Sequence, residues 1–146
     1  MSAEVVNKGE WTRPTPDPDG EGVPYFEACA RGELLVQQCP ECGHRQHYPR
    51  AWCTECGATP EWLTTQGMGT VHTFTIMHQY GAEPFKSELP YVVAIVELDE
   101  GPRLMGNLTD CDPADVRIGM PVEVYMVHAA EHVAVPFWRP RRDDAG

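Results

Sequence analysis

The chain has 146 residues, which is enough for one domain or for one domain with a small module. Its formal net charge is −11, with 22 Asp and Glu against 11 Lys and Arg, so nucleic acid is an unlikely partner because phosphate binding needs clustered basic side chains. No stretch approaches the roughly 20 apolar residues of a membrane span. The N-terminus lacks the basic and apolar regions of a secretory signal, so we expect a cytoplasmic protein.

Residues 1–22 are predicted to form an extended, mobile arm. They contain Pro14, Pro16 and Pro18 together with several charges and glycines. Such a composition buries little apolar surface and is typical of disordered termini. We therefore expect no fixed packing of this arm against the rest of the chain.

A short helix is predicted over residues 24–31. Pro24 suits the first helical turn, where its missing N–H costs nothing, and Gly32 suits the left-handed residue just past the end. Tyr25 lies off the apolar stripe, so we expect it to be exposed. The stripe itself, at helical spacing, consists of Phe26, Cys29 and Ala30.

Two cysteine pairs follow, each with two residues between its cysteines and with ten residues between the pairs: Cys39, Cys42, Cys53 and Cys56. This spacing predicts one four-thiolate site for zinc, which takes four soft ligands at tetrahedral corners. Two disulfides are an alternative that a reducing cytosol disfavours, and iron in a rubredoxin-like site is another, although the short span between the pairs favours zinc. Because four thiolates close the shell, the ion is expected to be structural and not catalytic.

The segment between the two pairs carries polar candidates. His44 and His47 are possible substitutes for a cysteine ligand, but four cysteines already satisfy zinc. Arg45 and Arg50 are candidates for contact with an anionic group, against the simpler interpretation of a solvated surface.

Beyond residue 69 the pattern changes to alternation with a period of two, which is typical of strands. A polar loop over residues 81–89 carries Phe85 and Lys86, and residues 112–115 suggest a helical turn. Five short strands with one helical turn between the third and the fourth predict a small barrel of the OB type. The predicted strands are 70–79, 91–96, 103–108, 122–127 and 133–138.

These segments predict a mainly β protein in four parts. They are an arm over 1–22, a helix and zinc ribbon over 23–66, an OB-fold barrel over 67–140 and a tail over 141–146. The chain shows no nucleophile elbow and no glycine-rich phosphate loop, so no catalytic residues are predicted.

Together, the segments over residues 24–140 resemble the DUF35 family, the zinc-ribbon and OB-fold proteins of acyl-CoA metabolism. The residues that carry the resemblance are Tyr25-Phe26-Glu27-Ala28, Cys39-Pro-Glu-Cys42-Gly43, Tyr48-Pro49-Arg50 before the second cysteine pair, 90–98 and 118–122. The resemblance implies an N-terminal helix, a rubredoxin-like ribbon and a C-terminal five-stranded OB barrel.

The resemblance also implies a partner. Members of the family are similar to accessory subunits beside thiolase-like enzymes, including acetoacetyl-CoA thiolase with hydroxymethylglutaryl-CoA synthase, and aldolases that shorten steroid side chains. The leading hypothesis is a non-catalytic subunit of such a retro-aldolase, in a hetero-oligomer for which a heterotetramer is one arrangement, with acyl-CoA at the interface. The candidate contacts to the partner or to coenzyme A are Tyr25, Phe26, Arg45, Arg50, Phe85 and Lys86.

Three other functions remain open from the sequence. The first is a stand-alone acyl-CoA-binding module, which would use the same arginines without a partner. The second is a single-stranded nucleic-acid binder, for which the aromatic residues are present but the basic groove is not. The third is electron transfer through iron in the four-cysteine site.

Overall fold

Two sheets and one well-formed helix organise the chain in the computed structural model, which describes residues 2–142. Neither helix in this part of the chain combines the length and the hydropathy needed to cross a bilayer. In chain order the elements are β1 (Val5–Val6), α1 (Gly22–Ala30), β2 (Leu35–Gln38), β3 (Arg45–Gln46), β4 (Glu61–Thr64), β5 (Met68–Met77), α2 (Phe85–Glu88), β6 (Tyr91–Leu98), β7 (Arg103–Leu108), a 3₁₀ turn (Pro113–Asp115), β8 (Pro121–Ala130) and β9 (Val133–Pro140).

The smaller sheet belongs to the ribbon and has the order β3-β2-β4, all antiparallel. Its strand β4 was not predicted. Glu61, Trp62 and Thr64 are exposed on this edge strand, so the sequence carries little of the burial pattern that marks a strand. What holds β4 is backbone pairing along β2, from Leu35 opposite Thr64 to Gln38 opposite Glu61.

The larger sheet closes into the predicted five-stranded barrel. The sheet has six strands in the order β1-β8-β5-β6-β7-β9, and β8 pairs with β9 so that the last five strands close the barrel. All five predicted strands are confirmed, with ends shifted by a few residues. Strand β6 buries every second side chain, and those that point into the barrel are Val92, Ala94, Val96 and Leu98.

One seam of the barrel is nearly open. Strands β7 and β9 run parallel and share a single paired position, Leu108 with Trp138. Pro136, two residues before Trp138, has no N–H to donate across the seam. Helix α1 packs against β9 beside this seam, so the barrel and the helix meet where the sheet does not close.

The predicted N-terminal helix and the predicted helical turn before β8 are both present, but the expected exposure of Tyr25 on the helix is wrong. In the turn before β8, Asp112 Oδ1 accepts from the Ala114 N–H at 2.9 Å. Helix α1 begins at Gly22, two residues earlier than expected, and ends at Ala30, one residue before the predicted end. Gly32, just past the end, has the predicted positive φ, +83°. The expectation that Tyr25 is exposed is wrong, since it is only 7% exposed. The buried face of α1 is formed by Tyr25, Ala28 and Cys29.

The N-terminal arm is not free of the barrel, which corrects the prediction of a mobile segment. Strand β1 pairs in parallel with β8, with Val5 opposite Met126, and the Ala3 N–H donates to the Gly32 carbonyl at 2.6 Å. Trp11 packs edge-on against Phe137, with ring centroids 6.3 Å apart. The prolines suggested disorder, but Val6 and Trp11 cover an apolar patch on the outside of β8 and β9.

Ion pairs and a hydrogen bond hold residues 139–142 against the barrel and the N-terminal arm. Arg139 is 6% exposed, and its guanidinium contacts Glu4 at 2.9 Å and Glu123 at 3.0 Å. The Arg142 N–H donates to Glu123 Oε1 at 3.0 Å. Of the predicted tail, residues 143–146 lie outside the described residues.

Candidate metal centre and aromatic cleft

The four predicted cysteines come together at one point of the ribbon. All four Sγ atoms lie within 4.8 Å of one another. Cys39 Sγ is 3.4 Å from Cys56 Sγ, and Cys42 Sγ is 3.6 Å from Cys53 Sγ. Sulfurs around a tetrahedral zinc, with Zn–S near 2.3 Å, are about 3.8 Å apart. The cluster therefore fits a single metal ion.

Each cysteine pair sits on a tight turn that ends in a glycine. The Gly43 N–H donates to the Cys39 carbonyl and the Gly57 N–H to the Cys53 carbonyl, both at 2.9 Å. Both glycines have positive φ, +78° and +80°, a conformation that side chains disfavour. The sequence Cys-x-x-Cys-Gly thus folds both turns in the same way.

Backbone donors also favour the ionised form of the first cysteine. The Cys42 N–H lies 3.5 Å from Cys39 Sγ. The N–H groups of Cys42 and Glu41 lower the pKa of Cys39 to about 7. Thiolate is the form that binds metal, so the turn prepares Cys39 as a ligand.

The two histidines near the cysteines are placed elsewhere. His44 Nε2 lies 3.2 Å from Thr54 Oγ1, and the His47 ring packs 5.5 Å from the ring of Tyr25. Within residues 2–142, the four cysteines are the one group of three or more potential ligands that lie close enough to share an ion.

A cleft of about 300 Å³ lies between α1, the loop after β3 and the open β7–β9 seam. Two predicted contact residues, Tyr25 and Phe26, form one wall, with ring centroids 5.2 Å apart and ring planes at 88°. Burial lowers the pKa of His47, on the same wall, to about 4, with a smaller contribution from the charge of Arg50. The imidazole is therefore neutral at pH 7.

The predicted arginines occupy a second pocket, of about 260 Å³, that shares His47 and Tyr48 with the cleft. Arg45 and Arg50 are both exposed. Arg45 Nη1 donates to the Glu100 carbonyl at 3.1 Å. A basic pocket and an apolar cleft thus adjoin one another.

The last two predicted residues lie on α2. The Phe85 ring contacts Tyr80 at 5.5 Å, and the guanidinium of Arg13 lies 5.0 Å from its centroid. Arg13 also lines the cleft, so its guanidinium connects Phe85 to the cleft, although Phe85 itself does not line it. Lys86 is exposed and lines a separate pocket.

Sequence reasoning missed two exposed apolar side chains that line the cleft. Met105 is 63% exposed and Tyr48 is 54% exposed. Large apolar side chains that remain exposed near one another mark a binding surface more often than isolated ones do.

Comparison with known proteins agrees with this architecture. Residues 26–61 match the family described as the rubredoxin-like zinc ribbon domain of ChsH2, and residues 62–127 match its C-terminal OB-fold domain. A solved structure described as "Ltp2-ChsH2(DUF35) aldolase" contains a chain that is 34% identical, with a TM-score of 0.77 over 86% of this chain and 98% of that one. This chain belongs to the DUF35 family.

Two curated relatives are longer proteins. The "Probable enoyl-CoA hydratase alpha subunit" of Thermomonospora curvata is 36% identical over 139 residues, which is 94% of this chain and 43% of the relative. The "3-oxo-4,17-pregnadiene-20-carboxyl-CoA hydratase alpha subunit" of Mycobacterium tuberculosis is 32% identical over 115 residues, 78% of this chain and 34% of the relative. The chain thus spans less than half the length of either relative.

Proposed function

We propose that this DUF35 chain is a non-catalytic accessory subunit that binds and supports a thiolase-like acyl-CoA enzyme, a retro-aldolase in steroid side-chain degradation. The observation that carries the proposal is the 34% identity to a chain of the Ltp2-ChsH2(DUF35) aldolase over 98% of that chain. The steroid acyl-CoA is suggested by the name of the Mycobacterium tuberculosis relative. The catalytic residues would belong to the large subunit.

We assign zinc to the four-cysteine site. The ion would link the turn at Cys39 to the turn at Cys53, and four thiolates leave no position for substrate. A ribbon with few large apolar residues gains its folding energy from such an ion. Elemental analysis should find one zinc per chain, whereas iron would colour the protein and favour electron transfer. Free thiolates of this kind suit a reducing cytoplasm.

The surface proposed for the large subunit surrounds the cleft. It includes Phe26 at the cleft wall and the exposed side chains of Tyr48 and Met105. Aromatic anchors that become desolvated carry most of the energy of such interfaces. Tyr25 is buried beneath this surface, so it would shape the interface from below. Arg45 and Arg50, in the adjoining pocket, would face the phosphates of acyl-CoA at the interface.

Co-expression with a thiolase-like large subunit from the same genome, followed by size-exclusion chromatography, tests the proposal. We expect a stable hetero-oligomer, whose mass also tests the heterotetramer. The double variant Tyr48→Ala, Met105→Ala should abolish co-elution, because both side chains are exposed and line the cleft. Ile118→Ala is the matched control, because Ile118 is 70% exposed but does not line the cleft. If the double variant co-elutes as the wild type does, the interface lies elsewhere.

A stand-alone acyl-CoA-binding module is the second candidate. The observation that favours it is the basic pocket with Arg45 and Arg50 beside an apolar cleft, a pair of environments that suits a molecule with a phosphate end and an apolar end. Calorimetry of the isolated chain with acyl-CoA separates the two functions. Binding without a large subunit would favour the module, and no heat at millimolar ligand would exclude it.

A further inference from the structure

The floor of the cleft at the open β7–β9 seam carries a hydrogen-bond donor, the indole N–H of Trp138. Trp138 is 1% exposed and lines the cleft. Its backbone carbonyl accepts from the Thr109 N–H at 2.8 Å, but within residues 2–142 no hydrogen bond involves its indole N–H. An indole N–H at the floor of an apolar cleft, with no acceptor among the described residues, can donate to an acceptor from outside the chain.

Gly106 leaves the space in front of that donor open. A Cβ at position 106 would lie 3.0 Å from Trp138 Cδ1 and 3.1 Å from Nε1, so any larger residue would press on the indole edge. Gly106 lines the same cleft. Because Pro136 has no N–H, the neighbouring backbone does not close the gap by pairing.

The rest of the lining favours an uncharged, rigid ligand. Tyr25, Phe26 and Pro136 present carbon surfaces, and His47 is neutral at pH 7 because burial lowers its pKa to about 4. Arg13, at the rim, is balanced by its ion pair with Glu88. A volume of about 300 Å³ lies at the lower end of small-molecule pockets, which run from about 300 to 1,000 Å³.

We infer that this cleft binds a compact apolar ring system that carries a ketone, whose oxygen accepts a hydrogen bond from the indole N–H of Trp138. A ketosteroid is the member of this class that the proposed function supplies, so the choice of steroid rests on that function. The accessory chain would then hold the ring end of the substrate, while the large subunit acts on the side chain.

Indole resonances test the inference directly. The full ¹⁵N-labelled, metal-loaded chain is titrated with androst-4-ene-3,17-dione and followed by ¹H–¹⁵N correlation spectra. We expect the Trp138 indole N–H to move downfield and to show NOEs to the steroid methyl protons. The indoles of Trp52 and Trp62, which do not line the cleft, should stay in place. No shift up to the solubility limit, or a shift confined to another indole, would overturn the inference.

Two glycine variants sharpen the test. Gly106→Ala places a methyl group on the indole edge and should weaken steroid binding at least tenfold. Gly81→Ala is the control, because a Cβ there meets nothing within 4 Å. Equal affinity for Gly106→Ala and the wild type would overturn the inference. If Gly106→Ala does not fold, the NOEs of the wild type decide alone.

The large subunit provides the last arm of the test. If the thiolase-like protein shifts the Trp138 indole and the steroid does not, the cleft is a pocket for a partner side chain and the inference is wrong. If the steroid does not bind but the two proteins still co-elute, the steroid inference is wrong and the proposed subunit role remains. If the steroid binds and co-elution fails, the proposed subunit role is the part that is lost.

Discussion

Gln46 Nε2 donates to Gln37 Oε1 over 2.8 Å inside the ribbon, where both side chains are buried. Gln37 also holds the backbone of Arg50, accepting from its N–H at 2.8 Å and donating to its carbonyl at 2.9 Å. Gln46 in turn donates to the Trp52 carbonyl at 3.2 Å and accepts from the Thr54 N–H at 3.0 Å. Two side-chain amides thus fix the segment that leads to Cys53, the third cysteine of the cluster.

Gln46→Leu should destabilise the ribbon. The substitution leaves the Trp52 carbonyl and the Thr54 N–H without their partners, and a buried unpaired group costs about 1–3 kcal/mol. We expect the free energy of unfolding to fall by about 2–3 kcal/mol, and a chelator to remove the metal faster. Urea denaturation and chelator competition measure the two effects.

Gln38→Leu is the control for Gln46→Leu. Gln38 lies next to Gln37 on β2, but its side chain makes no hydrogen bond within the described part of the chain. Its unfolding midpoint should stay near that of the wild type. If both leucine variants behave alike, the amide network does not hold the ribbon.

The metal site gives a second prediction. Cys39→Ser should abolish metal binding and unfold the ribbon, because three thiolates no longer complete the shell. The barrel has its own core and should keep much of its circular dichroism signal. Native mass spectrometry measures the lost ion. Cys111→Ser, outside the cluster, should keep full occupancy, and full occupancy in Cys39→Ser would contradict a four-thiolate site.

The sequence was sufficient where a local pattern decides the structure. The cysteine spacing predicted that the four sulfurs of the candidate metal site come together, because each turn is fixed within five residues by its glycine. Alternation with a period of two located the five barrel strands, because one face of each strand is buried. The turn before β8 followed from its Asp-Pro start.

The sequence was insufficient where a distant contact decides. Whether the Tyr25 side chain is buried or exposed depends on which face of α1 packs against the barrel. Neighbouring residues in a helix point in different directions, so an error of one position in the predicted apolar face changes which side chains are buried. The packing of Trp11 depends on an apolar patch around Phe137, more than one hundred residues away. The cleft exists because a seam stays open, and no local pattern predicts a missing strand pair.

The N-terminal arm provides a third prediction. Trp11→Ala should lower the free energy of unfolding by about 1–2 kcal/mol, because it removes an edge-on aromatic contact and uncovers Phe137. Urea denaturation measures the loss, and limited proteolysis should cut the first residues faster. Trp52→Ala is the matched control, since Trp52 is 67% exposed and should change stability little. Equal proteolysis of both variants would mean that Trp11 does not hold the arm.

Stability should also depend on the protonation of His47. Burial, with a smaller contribution from the charge of Arg50, lowers the pKa of His47 from 6.5 to about 4. The unfolded chain therefore binds the proton first as pH falls. The stabilisation that comes from keeping His47 neutral is present in full above pH 6.5 and is lost between pH 6.5 and about 4. At about 1.4 kcal/mol per pKa unit, the loss is about 3 kcal/mol at most.

Urea midpoints between pH 7 and pH 4 measure this dependence. His47→Gln removes the titrating group, so its midpoint should fall less steeply with acid than that of the wild type. Protonation of the metal ligands acts on both proteins alike, and the difference between their slopes therefore reports on His47. His78→Gln is the control, because His78 is exposed and should leave the slope unchanged. Identical slopes for His47→Gln and the wild type would mean that His47 can charge inside the folded protein without penalty.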